Sequence, residues 1–256
     1  MPNEIEEEAT QLKEYWQLRD ERMLLDRSIL NLEKPEETTG KIKWVSNEPK
    51  VFYETSVALI SAYPPRFRLP LTVNFTPEEK TKMNKAERLV VGIWRSLDES
   101  QWQNNWLRQF AYRVCSGWHA EFVLVERRGK DVKFIADIWD PITVYPEWDA
   151  DVLTKCIRQF EVDKRTATRL VRGWQEKGLE FDYKEDDKKS NVKVINYWRN
   201  DRGKIYNAIR VGDNDIKPLK PINRFKRIPI FIGAIGVPDL TSADWPERFG
   251  ENIIAA

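Results

Sequence analysis

The period of the hydrophobic pattern changes at Gly117, and this change limits the possible folds more than any other feature. Before Gly117, apolar residues recur every three or four positions, which is typical of one face of an α-helix. After it the period is two, as on a β-strand, and Trp118, Ala120, Phe122 and Leu124 alternate with His119, Glu121, Val123 and Val125. A turn at 127–130 and a second alternating run over 132–138 predict an antiparallel hairpin.

Two amphipathic helices are predicted before this hairpin. Thr76, Pro77 and Glu79 form a capping box with proline at the first helical position. An apolar stripe follows at helical spacing: Met83, Ala86, Val90, Ile93 and Leu97. A second capping pattern at 98–101 predicts another helix, with one face made of Trp102, Trp106, Phe110 and Val114. A shorter helix is expected over 51–62.

The remainder alternates strands and turns around one further helix. Asp140-Pro141 breaks the sheet, and 145–148 is expected to turn again. A strand is predicted over 152–162, followed by a helix over 164–177 with Asp163 as its cap. Two strands, 191–199 and 204–211, flank a hairpin turn at 200–203. The fold class is therefore α+β: N-terminal helices, then mainly antiparallel hairpins with an inserted helix.

Residues 1–40 stand apart in charge, with eleven acidic and five basic residues. Their apolar positions mark one helical face: Ile5, Ala9, Leu12, Trp16, Met23 and Leu30. Pro35 and Gly40 are expected to end this helix. Two domains follow from this, an acidic helical arm at 1–40 and an α+β domain at 41–256. The arm packs either on its own domain or on a neighbouring subunit.

Composition excludes several classes of protein. The chain has 256 residues, 42 Lys+Arg against 41 Asp+Glu and 41% hydrophobic residues, which argues against a disordered chain and against a dedicated nucleic-acid binder. No apolar run reaches the roughly 18 residues of a membrane span, and no signal peptide is expected at the start. Cys115 and Cys156 suggest no disulfide framework, so we expect a reducing cytosol. Most of the aromatic residues are expected in the core.

No constellation of residues predicts an enzyme. The single histidine, His119, lies within a strand and is expected to be structural. Gly173 and Gly178 have the spacing of a phosphate-binding loop, but Leu179-Glu180 replaces its Lys-Ser/Thr. Four acids could hold a divalent cation but are diluted by lysines, so a solvated loop is expected: Asp182, Glu185, Asp186 and Asp187. We therefore predict no catalytic, cofactor-binding or metal-binding residues, and no cofactor.

The order of these motifs resembles the portal proteins of tailed bacteriophages, specifically their peripheral wing domain, over about residues 41–256. The resemblance begins with Asn47-Glu48-Pro49 before a short helix closed by Pro64-Pro65, followed by two amphipathic helices and the hairpin after Gly117. Three later segments fit the same order: Ile138–Pro146, Val194–Trp198, and Arg227–Ile230 leading to Gly250–Asn252.

The resemblance implies a structural subunit of a ring, usually of twelve copies, at one capsid vertex of the virion. The implied partners are capsid protein, the terminase motor, a head–tail adaptor and double-stranded DNA, which passes through without sequence specificity during packaging and ejection. Assembly in the host cytoplasm and no membrane contact are implied as well. An acidic arm of charge −6 and a basic stretch of +6 over 202–227 provide a candidate pair of subunit faces.

Portal chains usually continue into stem helices, a clip and a crown, whereas this sequence ends at Ala256, near the expected first stem helix. Two explanations are open: the chain is a fragment, or the remaining part is a separate polypeptide. The channel-lining and motor-docking residues are expected beyond Ala256. The alternatives are another virion assembly protein, such as a capsid or tail-adaptor protein, or a metal-dependent nucleic-acid enzyme using the acidic loop.

Overall fold

The computed structural model describes residues 2–33, 46–63, 76–100, 106–128, 131–149, 152–174 and 191–234. These residues form six α-helices and eight strands in two antiparallel sheets, which confirms the α+β class. The helices are α1 (Pro2–Tyr15), α2 (Gln17–Leu30), α3 (Glu48–Ser61), α4 (Pro77–Ser100), α5 (Trp106–Cys115) and α6 (Lys164–Trp174). The strands are β1 (Trp118–Arg128), β2 (Asp131–Trp139), β3 (Val144–Asp149), β4 (Val152–Asp163), β5 (Asn191–Asp201), β6 (Lys204–Val211), β7 (Asn214–Pro221) and β8 (Ile230–Ala234).

The chain divides into two compact units whose limits do not coincide with the boundary expected at residue 40. Unit 1 comprises Met1–Arg22, Trp139–Ile230 and Leu240–Arg248. Unit 2 comprises Met23–Ile138, Phe231–Asp239 and Phe249–Ala256. The division falls within α2, between Arg22 and Met23.

Unit 1 is a five-stranded antiparallel sheet, in the order β3-β4-β5-β6-β7, with a helix on each face. Adjacent residues of β5 point to opposite faces, because side chains alternate along a strand. Val194 belongs to the cluster formed with α6, whereas Tyr197 donates a hydrogen bond to Glu8 of α1. The α6 side is apolar and consists of Ala167, Val171, Val192, Val194, Ile209, Val211 and Ile216.

Unit 2 combines a three-stranded sheet, in the order β2-β1-β8, with helices. Its helical core is formed by Leu30, Tyr53, Val57, Ala111 and Cys115. The indole Nε1–H of Trp106 in α5 donates to the main-chain oxygen of Ala136 in β2 at 2.9 Å, which ties the helices to the sheet. Trp106 is 6% exposed, so this part of the expected apolar face of α5 lies in the core. Trp102 lies outside the described residues.

Local signals in the sequence are confirmed where they depend on near neighbours. The main-chain N–H of Thr76 donates to Glu79 at 2.9 Å and that of Glu79 donates back to the Thr76 hydroxyl at 3.3 Å, which completes the capping box. Asp163 accepts from the N–H of Thr166 at 3.0 Å and caps α6. At the β5–β6 turn, Arg202 and Gly203 have φ values of 49° and 83°, as a tight hairpin requires.

Two predictions about helix limits are wrong. Residues 1–30 do not form one regular helix but α1 and α2, separated at Trp16, although the N–H of Trp16 still bonds to the Leu12 oxygen at 3.1 Å. The expected end at Pro35–Gly40 lies outside the described residues, and α2 ends at Leu30. The second capping pattern at 98–101 does not start a helix, because α4 continues to Ser100 and α5 starts at Trp106. No glycine or proline stands at 98–100 to stop α4.

Two predictions about strands are also corrected. Tyr145–Trp148 is not a turn but part of β3, which is an edge strand of its sheet. Proline is tolerated on an edge strand because one side of the strand needs no ladder donor, so Pro146 fits there. The sequence reasoning did not identify β7, in which Pro218 and Pro221 obscure the strand signal. β7 is the other edge strand of this sheet.

Candidate interaction surfaces

The N-terminal helical segment is anchored to the sheet of unit 1 by two fully buried side chains, one between α1 and α2 and one in α2. Trp16 is 0% exposed, and its Nε1–H donates to the main-chain oxygen of Pro146 at 3.0 Å. Arg19 is also 0% exposed and donates from Nη1 to the main-chain oxygen of Val144 at 2.9 Å. Both acceptors lie at the start of β3. The N-terminal segment up to Arg22 therefore packs on its own unit, as one of its two expected roles requires.

A buried charge cluster surrounds this anchor. Arg19 pairs with Asp20 at 2.6 Å, and its guanidinium lies 4.7 Å from the Trp16 ring centroid. The Tyr145 hydroxyl donates to Asp20 at 3.2 Å. Burial lowers the pKa of Arg19 and raises that of Asp20, while the ion pair opposes both shifts. The sequence reasoning missed this cluster, although Arg19 falls on the apolar stripe, three residues after Trp16.

The inner acids of α1 are paired within the chain. Glu8 accepts from the Tyr197 hydroxyl at 2.7 Å and lies 3.1 Å from the ammonium of Lys155. Glu6 lies 3.6 Å from the guanidinium of Arg210. Burial lowers the pKa of Lys155, but Glu8 and Glu147 outweigh this, so its pKa is raised overall. Part of the charge complementarity expected between subunits is thus used inside unit 1.

The outer acids of the same segment face away from the sheet. Glu7, Glu14 and Glu21 are seven residues apart, which places them on one side of the helical segment. All three are exposed, as is Glu4 on the same side. The buried residues Ile5, Ala9, Leu12 and Trp16 lie on the opposite side. We name Glu4, Glu7, Glu14 and Glu21 the acidic outer face.

Unit 1 also carries a basic surface. The β5–β6 turn and the segment after β7 meet at one end of the sheet, because the N–H of Ile222 donates to the Ile205 oxygen at 2.7 Å. Phe225 packs on Trp198 at a centroid distance of 6.0 Å, which holds the segment after β7 against the sheet. The exposed cations here are Arg202, Lys204, Lys220, Arg224, Lys226 and Arg227, and we name this surface the basic end of the sheet.

A shallow groove of about 350 Å³ separates α1 from β3 and β4. Leu12 and Pro146 form its apolar part, and the rings of Tyr15 and Trp148 line it. Trp148 packs edge-to-face on Trp16 at 6.3 Å. Lys155 bridges Glu8 and Glu147 at 3.1 Å each, so these three charged groups of the groove already pair with one another.

Helix α4 leaves its apolar stripe largely uncovered. None of the side chains described over residues 77–97 is buried, and Met83, Ala86, Ile93 and Leu97 are only half-buried. Leu89, Val90 and Val91 are exposed, with 59% of Leu89 accessible. Near its C-terminal end, Trp94 packs edge-to-face on Trp106 at 4.9 Å. An apolar helix face of this kind is typical of an interaction surface.

The residues considered for chemistry do not converge on one site. His119 lies on β1, where Nδ1 is 3.0 Å from a Glu121 oxygen and the ring packs edge-to-face on Phe110 at 4.7 Å. Gly173 lies within α6, whereas Gly178 and the acids of 182–187 are outside the described residues. In the described ranges, no three His, Cys, Asp or Glu side chains are grouped so that they could hold a metal ion.

Comparisons with known proteins identify no family for this chain. No protein-family model matches the sequence, and no curated protein matches it significantly. Among the helices of the described residues, none combines the length and the apolar character that a bilayer-crossing helix needs.

Proposed function

We propose that the chain is a structural, non-catalytic subunit of a ring that resembles the portal of a tailed bacteriophage. In this role it assembles with copies of itself at the capsid vertex and contributes to the conduit for double-stranded DNA. Capsid protein, terminase and a head–tail adaptor are the partners that the resemblance implies.

The order of elements from α3 to β3 carries the proposal. Three helices are followed by the hairpin after Gly117, and the chain then passes through Asp140-Pro141 into β3. This is the order in which the sequence motifs resemble the wing domain. The carboxylate of Asp140 accepts from the N–H of Ile142 at 3.4 Å, so the Asp-Pro segment is a short capped turn.

The surface of α4 supports self-association as the common element of this role. Its apolar stripe is half-buried or exposed along the length of the helix described, and a ring subunit needs surfaces that are covered only on assembly. The capsid and tail-adaptor alternatives share this need, so the shape of the assembly is what separates them from a portal ring.

Electron microscopy and mass photometry of the purified chain test the proposal. We expect closed rings with a central channel and a narrow mass distribution. Spherical or sheet-like assemblies would favour a capsid role, and a chain that stays monomeric would contradict both. Magnesium-dependent cleavage of DNA, lost on Asp186→Ala with Asp187→Ala, would instead support the enzyme alternative.

A further inference from the structure

We propose that the basic end of the sheet binds the acidic outer face of α1 and α2 in a second copy of this chain. The inference rests on the proposed function, because it names the contact through which ring subunits would associate. Each copy would then offer both surfaces, one to each neighbour.

The acids required for this contact are those that the fold leaves outside. Glu6 and Glu8 pair with Arg210 and Lys155 inside unit 1. Glu7, Glu14 and Glu21 project from the other side of the same helical segment and are exposed. Helical hydrogen bonds from Trp16 to Leu12 and from Asp20 to Trp16 continue across the boundary between α1 and α2, so the spacing of seven residues keeps the three acids on one side of the segment.

The basic end of the sheet takes its cations from two separate pieces of the chain. Arg202 and Lys204 come from the β5–β6 turn, and Arg224 and Lys226 come from the segment after β7. Two pieces of chain thus present cations side by side, held together by the bond between Ile222 and Ile205 and by the packing of Phe225 on Trp198.

Charge balance favours a second copy over a nucleic acid as the occupant. The formal net charge of the whole chain is only +1, so the basic end is offset by acids elsewhere on the same molecule. A second copy supplies a matching acidic face itself, so the charge pairing needs no further component.

An exposed apolar residue among the outer acids would add apolar contact to the pairing of charges. Leu18 is 59% exposed and lies between Glu14 and Glu21 on the same side of the segment. Phe225 is half-buried at the basic end. Exposed ion pairs are individually weak, so Leu18 and Phe225 would supply attraction while the charges fix the orientation. Since the two surfaces differ, the contact is head-to-tail, and it closes into a ring if the rotation allows it.

Paired charge reversals test this contact in the full chain. The acidic-face variant carries Glu7→Lys and Glu14→Lys, and the basic-end variant carries Arg224→Glu and Lys226→Glu. In sedimentation velocity at low salt, we expect each to raise the dissociation constant for self-association by about tenfold or more. An equimolar mixture of the two variants, and a chain carrying all four changes, should both associate like the wild type, because every contact is again between opposite charges.

The matched control is Glu48→Lys with Glu54→Lys, which changes the net charge as much as the acidic-face variant does, on exposed residues of α3 in unit 2, and should leave association unchanged. Circular dichroism melts identify any variant that does not fold. In that case the association of the four-change chain, compared with that of the wild type, is the deciding measurement.

If the wild type assembles but the charge reversals do not change its self-association, this contact is overturned while the ring proposal stands. The same holds if the mixture and the four-change chain do not regain wild-type association. A wild type that remains monomeric overturns both. If a short DNA duplex binds the wild type but not the basic-end variant, and self-association is the same in both, the basic end is assigned to nucleic acid and the inference is overturned.

Discussion

The indole nitrogen of Trp16 and the main-chain oxygen of Pro146 are joined by a hydrogen bond of 3.0 Å across 130 positions of the chain. The donor lies between α1 and α2, and the acceptor lies on the edge strand β3. Because Trp16 is fully buried, the bond is shielded from water and its loss would leave a buried carbonyl without this donor. The N-terminal segment is therefore part of the core of unit 1.

Replacing Trp16 should test this role directly. Trp16→Ala should lower the free energy of unfolding by about 3–5 kcal/mol through lost transfer energy and cavity formation. Trp16→Phe should cost about 1–3 kcal/mol, because it removes the donor but keeps most of the ring. Urea unfolding measures both values, with Leu18→Ala as an exposed control on the same segment, expected within about 0.5 kcal/mol at low protein concentration. A Trp16→Ala chain as stable as the control would show that the helix is not part of the core.

The equivalent test in unit 2 uses Trp106. This side chain is 6% exposed and donates to the Ala136 oxygen at 2.9 Å, so Trp106→Ala should cost about 3–5 kcal/mol. Leu89→Ala removes an exposed apolar side chain of α4 and should cost no more than about 0.5 kcal/mol. Urea midpoints at equal slope compare the two variants. Equal midpoints would place Trp106 outside the core.

Close approach between His119 and Gly233 predicts a coupled pair of substitutions. A Cβ atom at Gly233 would lie 2.5 Å from Nε2 of His119, and the ring is held by Phe110 and Glu121. Gly233→Ala should therefore destabilise the chain by about 1–3 kcal/mol. In a His119→Ala background the same change should cost at least about 0.5 kcal/mol less, since the clash is gone. A double-mutant cycle measures this difference, and additive effects would contradict the packing.

The cap of α6 predicts a pH dependence. Hydrogen bonds from the Thr166 hydroxyl and N–H lower the pKa of Asp163 in the folded chain. The stabilisation is therefore present above the unfolded pKa of about 3.9 and is lost as the pH falls through the lower folded value. Asp163→Asn keeps a capping side chain that does not titrate.

Urea unfolding of the wild type and of Asp163→Asn at pH 7 and near pH 2.5 tests this dependence. The stability of the wild type relative to the variant should decline as the pH falls. Asp213→Asn, in the turn between β6 and β7, is the control for a general loss of carboxylate charge. A difference between wild type and Asp163→Asn that does not change with pH would contradict the charged cap.

The proposed contact between copies refines the prediction that the acidic arm and the basic stretch over 202–227 form a pair of subunit faces. Charge counts alone paired the whole acidic segment with the whole basic stretch. The structure divides the acids, with Glu6 and Glu8 facing the sheet and Glu7 and Glu14 facing outward. The same helical period that buries Trp16 determines this division, but the partners on the sheet determine which acids are neutralised.

Features that depend on neighbours a few residues away could be predicted from the sequence alone. The capping box of Thr76 and Glu79, the Asp163 cap and the β5–β6 hairpin turn are made by local hydrogen bonds and backbone preferences, so they could be read directly. The change of hydrophobic period at Gly117 likewise separated helices from strands and gave the α+β class.

Features that depend on distant partners could not be predicted in this way, because they form only in the folded chain. Arg19 is buried because β3 supplies the Val144 oxygen and the Tyr145 ring, more than a hundred residues away. Pro146 stands in a strand because that strand lies at the edge of the sheet. The apolar stripe of α4 resembles a core stripe in sequence, yet it stays half-buried, because periodicity shows which side of a helix is apolar but not what covers it.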